Sequence, residues 1–225
     1  MTHTFTLPES LALRDLQVFL GRAGRVEDGS ARLIVTNGVL AVYVAIFYPV
    51  GLLDQAPTVL GLRTLELIDT PDFDAVVPVG SLLERISRKL DQVVDDADPV
   101  TVTLPMEVHT VTWAAISPPR GGWRGVDPTS AALLGSVAKS GIEEVAEAIP
   151  TGTGEQIVHR VRSEVWGRPI EGLEHVPAGG AFAALSLGFL ADNAPVAIYE
   201  TGPWTRLTTE RGHVLIKRKA WTLSR

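Results

Sequence analysis

The chain has 225 residues, 45% of them hydrophobic and 20% charged, which is enough apolar material for one large domain or two small ones. Its net charge of −6 argues against general affinity for nucleic acid or anionic lipid, since phosphate-tracking surfaces need positive potential. There is no cysteine, which excludes disulfides, thiolate catalysis and zinc sites built on sulfur.

Met1 to Phe5 shows no basic n-region, and no apolar stretch with a cleavage site follows, so a cytoplasmic protein is expected. Phe5-Thr6-Leu7 reads as a short strand. A helix follows from about Glu9 to Ala23, with Ala12, Leu16, Phe19, Leu20 and Ala23 on one face and Gly24 as its stop. Leu33 to Leu53 carries no charge and is long enough to span a bilayer. Asn37-Gly38 lies inside it, between Arg32–Val35 and Val39–Val44, and this turn chemistry predicts a buried hairpin instead. A strand is expected over Val59–Leu67, and a brief edge strand over Val76–Val79, because Pro78 cannot donate to a ladder.

Ser81 with Glu84 three residues later reads as a capping box opening a helix. Leu82, Leu83, Ile86, Leu90 and Val93 form its apolar face, with Arg85, Arg88, Lys89 and Asp91 elsewhere. Asp95-Asp96-Ala97-Asp98-Pro99 breaks the pattern as a run of solvated charges. Strands are expected at Val100–Leu104 and His109–Ile116, then a loop from Ser117 to Gly125. Asp127-Pro128 reads as the N-cap and first residue of a helix through Ile149; a second helix ends at Trp166-Gly167 and a third, apolar nearly all round, covers Ala178–Leu190. Val196–Glu200, Trp204–Thr208 and His213–Lys217 then form a β-meander. The fold class is α+β: antiparallel sheet with an N-terminal β-α-β-hairpin lobe, a central helical insertion and the C-terminal meander. Residues 1–225 form either a single domain or two closely packed lobes, 1–96 and 97–225. No repeat is visible.

No complete catalytic constellation emerges. Ser136-Val137-Ala138-Lys139 matches the S-x-x-K pattern of serine acyl-enzymes, but lacks its K-T-G and S-D-N partners, and an exposed helix surface is the better reading. Gly152-Thr153-Gly154 lacks the lysine of a phosphate loop and reads as a helix–helix connection. His3, His109, His159, His175 and His213 have no metal-ligand spacing, and each is assigned a structural or surface role. No catalytic residue, metal or cofactor is therefore predicted.

Within the Ser117–Gly125 loop, Arg120, Trp123 and Arg124 are the candidate binding residues, because arginine and tryptophan combine contact area with directional bonding. The opposing expectation is that Trp123 packs into the core. The first functional expectation is a non-enzymatic cytoplasmic interaction protein (adaptor, scaffold or chaperone-like) with a protein partner or self-association. The alternative is an enzyme, hydrolytic or acting on a small anionic substrate, with its site near this loop. A nucleic-acid role through Lys217-Arg218-Lys219 and Arg225 is disfavoured by the net charge, and no membrane span is expected.

Overall fold

The computed structural model describes residues 3–27, 29–51, 54, 56–149, 152–192 and 194–218. The chain divides into two compact units, one from Met1–Ala45 with Leu62–Ser117, the other from Ile46–Gly61 with Pro118–Arg225.

The first unit starts with β1 (Thr4–Leu7) and α1 (Ser10–Val26), followed by β2 (Ser30–Thr36), β3 (Val39–Phe47) as far as Ala45, β4 (Thr58–Glu66) from Leu62 and β5 (Phe73–Pro78). Then come α2 (Val79–Leu90) and β6 (Val100–Thr103), which pairs with β1. The Asn37-Gly38 hairpin forms as expected. Both residues are left-handed (φ 52° and 74°), the geometry that joins two strands without splaying them. Alternating burial along β2 places Ala31, Leu33 and Val35 inward.

Four local expectations fail in this unit. Helix α1 continues past Gly24 to Val26, because a glycine without a left-handed φ ends nothing. The Ser81–Glu84 capping box does not form. Helix α2 opens two residues earlier, where the Val79 amide donates to the Gly29 carbonyl at 3.0 Å and so satisfies a first-turn donor from outside the helix. Asp96 is more than a solvated charge: its carboxylate accepts from Ser10 Oγ, and its carbonyl accepts from the Ser10 amide at 3.0 Å, at the start of α1. The strand expected over His109–Ile116 is instead a 3₁₀ turn, Thr112–Ala115, which buries Trp113. Its apolar run was real, but packing of a single indole organises it in place of strand pairing.

The second unit contains β7 (Arg124–Ser130), α3 (Ala131–Ala148), α4 (Glu155–Gly167), β8 (Pro169–Ile170), β9 (Leu173–Pro177) and α5 (Ala178–Ser186). The meander follows as β10 (Pro195–Thr201), β11 (Trp204–Thr209) and β12 (Gly212–Lys217). Asp127-Pro128 does not start a helix. It lies in β7, where Thr129 faces Val196 and Val126 faces Ile198, so two residues oppose Ala197 alone in a bulge. Pro128 is tolerated because β7 is an edge strand, and the helix opens afterwards with Ser130 Oγ accepting from the Leu133 amide. Helix α5 stops at Ser186 instead of Leu190, since Gly188 turns left-handed (φ 72°) and the Phe189 amide caps the Ala184 carbonyl.

In the first unit β2 pairs antiparallel with β3 and with β5, which is an edge strand; in the second the antiparallel order is β12-β11-β10-β7, with β7 at the edge. Trp166 anchors the interior of the second unit: it is 2% exposed and stacks on Phe182 at 4.3 Å between ring centroids. Gly141 of α3 lies against this ring so closely that any Cβ there would collide with it. A β-α-β-β-β order opens the chain (β1 to β4) and closes it (β9 to β12), a recurrence that the residue pattern conceals.

Candidate functional site

The meander presents two faces, since side chains alternate along each strand. Thr205, Leu207, Val214 and Ile216 are buried on the face that meets α5, where Ile216 packs beside Gly180. Arg206 lies on the other. The antiparallel register puts Tyr199 of β10 opposite it, and the guanidinium carbon sits 4.6 Å from the Tyr199 ring centroid.

The Ser117–Gly125 loop supplies the second ring. Gly122 adopts φ 76°, close to Thr201 Oγ1, and this left-handed turn delivers Trp123 over the sheet. The indole Nε1 donates to the Pro119 carbonyl at 3.0 Å, and its ring lies 4.6 Å from the Arg206 guanidinium carbon. The sequence analysis offered Trp123 as either contact surface or core. The structure makes it half-buried and stacked on a cation. Arg120 and Arg124 are both exposed, with Arg124 at the start of β7 opposite Glu200. Of the three loop candidates, only Trp123 joins the cluster around Arg206.

Arg206 is held without an acid. Among the described residues no carboxylate pairs with it, and its Nε is buried with no hydrogen-bond partner. Burial lowers its pKa from the ordinary arginine value, with the Tyr199 side chain acting the other way. The two π faces compensate part of that desolvation, each by about 0.5–2 kcal/mol. A planar guanidinium pinned in this way points its remaining N–H groups along its own plane, the geometry that a carboxylate accepts in bidentate fashion.

Other polar groups are already engaged. Arg32 donates to both Asp74 oxygens at 2.8 and 2.6 Å, to the Ala114 carbonyl at 2.6 Å and to Ser117 Oγ at 3.0 Å. The hydrogen bond to Asp74 dominates in raising the Arg32 pKa. Asp74 is therefore committed to an ion pair. His159, which was given only a structural or surface role, contacts Asp54 at 2.6 Å. Burial pushes the Asp54 carboxyl upward, but bonds from the Val50 and Ala56 amides and from His159 together outweigh it and hold the pKa below the usual carboxylate value. Ser136 and Lys139 of the S-x-x-K match are both exposed on α3. Of the basic tail, Lys217 lies 6.0 Å from the Trp204 ring centroid and Arg218 pairs with Glu200, while Lys219 and Arg225 lie outside the described residues.

Among the described residues no three His, Asp or Glu side chains group as metal ligands, and no helix is long and apolar enough to cross a membrane.

The fold is similar to that of the bacterial DNA polymerase sliding clamps. A Caulobacter crescentus DNA polymerase sliding clamp matches over 98% of this chain and 67% of its own, with 14% identity and a TM-score of 0.50. The DNA polymerase III subunit beta of Borrelia burgdorferi, solved in complex with a natural product, gives a TM-score of 0.55 at 6% identity, over 98% of this chain and 66% of its own. The corresponding subunit from Pseudomonas aeruginosa gives 0.50 at 13% identity, over 100% and 66%. The chain thus spans about two thirds of the length of these proteins. By sequence, residues 1–107 match a family described as Domain of unknown function (DUF8010), and residues 118–221 match Domain of unknown function (DUF8185). No curated protein sequence matches the chain.

Proposed function

We propose that this chain is a non-enzymatic docking scaffold of the cytoplasm that binds a protein partner, or a second copy of itself, through the Trp123–Arg206–Tyr199 face. One observation carries the reading: a partly desolvated guanidinium held by two aromatic rings with no acidic partner among the described residues. Leaving a buried charge unpaired costs free energy, so an incoming carboxylate gains more here than at a solvated arginine. Tryptophan, tyrosine and arginine are also the residue types in which interface energy concentrates. Arg120 and Arg124, exposed nearby in sequence, are the flanking contacts. The partner presents an aspartate or glutamate side chain to Arg206.

The test places a photo-crosslinking amino acid at Arg124 and irradiates the protein in its native cell. A discrete crosslinked product, another protein or a second copy, should form with the otherwise wild-type chain and vanish with Arg206→Ala. Equal crosslinking in the two, with both proteins melting at the same temperature, overturns the reading.

The description of the structural neighbours as DNA polymerase sliding clamps favours a second reading, association with a DNA polymerase or its DNA. Retention on duplex DNA that falls steeply with salt supports it, and failure to be retained even at low ionic strength removes it.

A further inference from the structure

A cleft of about 290 Å³ opens in the first unit, lined by Arg85, Arg88, Lys89, Gln92 and Thr103. Arg85, Arg88 and Lys89 lie in the last two turns of α2 and Gln92 follows in the turn just beyond it, so donors recur at i, i+3, i+4 and i+7. Two of the three cations are anchored to backbone carbonyls. Arg85 Nη1 donates to the Thr103 carbonyl at 3.4 Å and Arg88 Nε to the Glu84 carbonyl at 3.3 Å, leaving their other N–H groups uncommitted. Among the described residues none of the three forms an ion pair. The helix C-terminus favours cations in its last turn, where Arg88 and Lys89 lie, and Glu84 stands four residues before Arg88, but Arg85 at i+3 and i+4 spacing from both adds like-charge repulsion.

The geometry points to a phosphomonoester-binding site, one that takes the terminal phosphate of a small phosphorylated molecule. Such a group carries a charge of about −1.5 to −2 near pH 7 and three acceptor oxygens, which suits three cations with an amide and a hydroxyl beside them. A polymeric phosphodiester backbone fits less well. Asp91 and the run Asp95, Asp96 and Asp98 follow immediately in the chain, all exposed, and repel a polyanion extended beyond the cleft. The volume lies at the lower bound of small-molecule pockets, which also favours a compact ligand.

Calorimetric titration of the full chain with phenyl phosphate at low salt tests the assignment. Saturable one-to-one binding is expected, weakened about tenfold or more in Arg85→Gln/Arg88→Gln, as loss of charge-assisted bonds implies, and unchanged in Arg206→Met. Lys89→Glu, at an exposed position, should abolish binding and keeps the test decisive if the double variant is unstable. The assignment is overturned by absence of saturable heat with the wild type, or by unaltered affinity in Lys89→Glu. It is equally overturned if a short oligothymidylate binds more tightly, with steep salt dependence, through the same residues.

Discussion

Trp166 and Trp123 belong to the same unit, yet each has a different kind of neighbourhood. Trp166 has been given space: Gly141 carries no side chain where one would strike the indole, and Phe182 covers a ring face. Trp123 has been given a charge: it leans on Arg206, tied down by one hydrogen bond to its own loop. The first arrangement is complete within the chain. The second leaves the donors of a guanidinium unmet, and that incompleteness separates a packing residue from a recognition residue. Arg32 sharpens the point, because it also projects from a strand but satisfies its fork with Asp74, Ala114 and Ser117.

The largest effect that tests this contrast is expected at Trp166. Trp166→Ala should cost about 3–5 kcal/mol through lost burial and a residual cavity, read as a drop in denaturant midpoint at unchanged slope. Gly141→Ala should cost about 1–3 kcal/mol by overpacking the same ring. A neutral result for both would show that the interior repacks freely and that the contrast is false.

A smaller effect is expected at the stack. Trp123→Ala should lower stability by about 1 kcal/mol, the scale of one partly exposed cation–π contact, and Arg206→Met should change it by less than about 1 kcal/mol in either direction. A midpoint loss of several kcal/mol in either variant would make the stack structural and remove its claim to recognition.

The smallest effect concerns acid. The Asp54 pKa is lowered in the folded chain, so its contribution to stability is fully present above the unfolded-state carboxylate value and disappears as pH falls through the folded value. Asp54→Asn should therefore flatten the acid limb of the stability profile while leaving partner crosslinking at Arg124 intact. An acid limb identical to wild type would show that the Asp54–His159 contact contributes nothing.

Short-range turn chemistry was legible in the residues, and tertiary choices were not. Asn37-Gly38 specifies its hairpin locally, and the meander follows from alternation between Gly-Pro and Arg-Gly turns. Ser81 with Glu84 and Asp127 with Pro128 carried equally good local signals that lost to distant partners: the Gly29 carbonyl in one case and pairing with β10 in the other. The short β8–β9 hairpin was missed because β8 has only two residues and its register with β9 is irregular, which leaves no periodicity to detect. Of the site, Trp123 stood out by residue type, while Arg206 and Tyr199 did not. Strand register makes them neighbours, and the one available hint was that Trp204, Arg206 and Thr208 alternate away from the apolar face. The spacing of Arg85, Arg88 and Lys89 was visible, but their lack of ion-pair partners among the described residues was not.

The bulge at Asp127-Pro128 also limits how copies of this protein can assemble. Its strand is a sheet edge, and so is β5, with Asp74 held by Arg32 near its start and Pro78 at its end. Strand-by-strand growth requires a flat, unbroken row of free amides and carbonyls, and a kinked strand with a missing amide on one side and a bound carboxylate on the other provides poor templates. Filaments built by extending the sheet are thereby discouraged. Side-chain surfaces such as that of Trp123 and Arg206 carry no such obstacle to self-association.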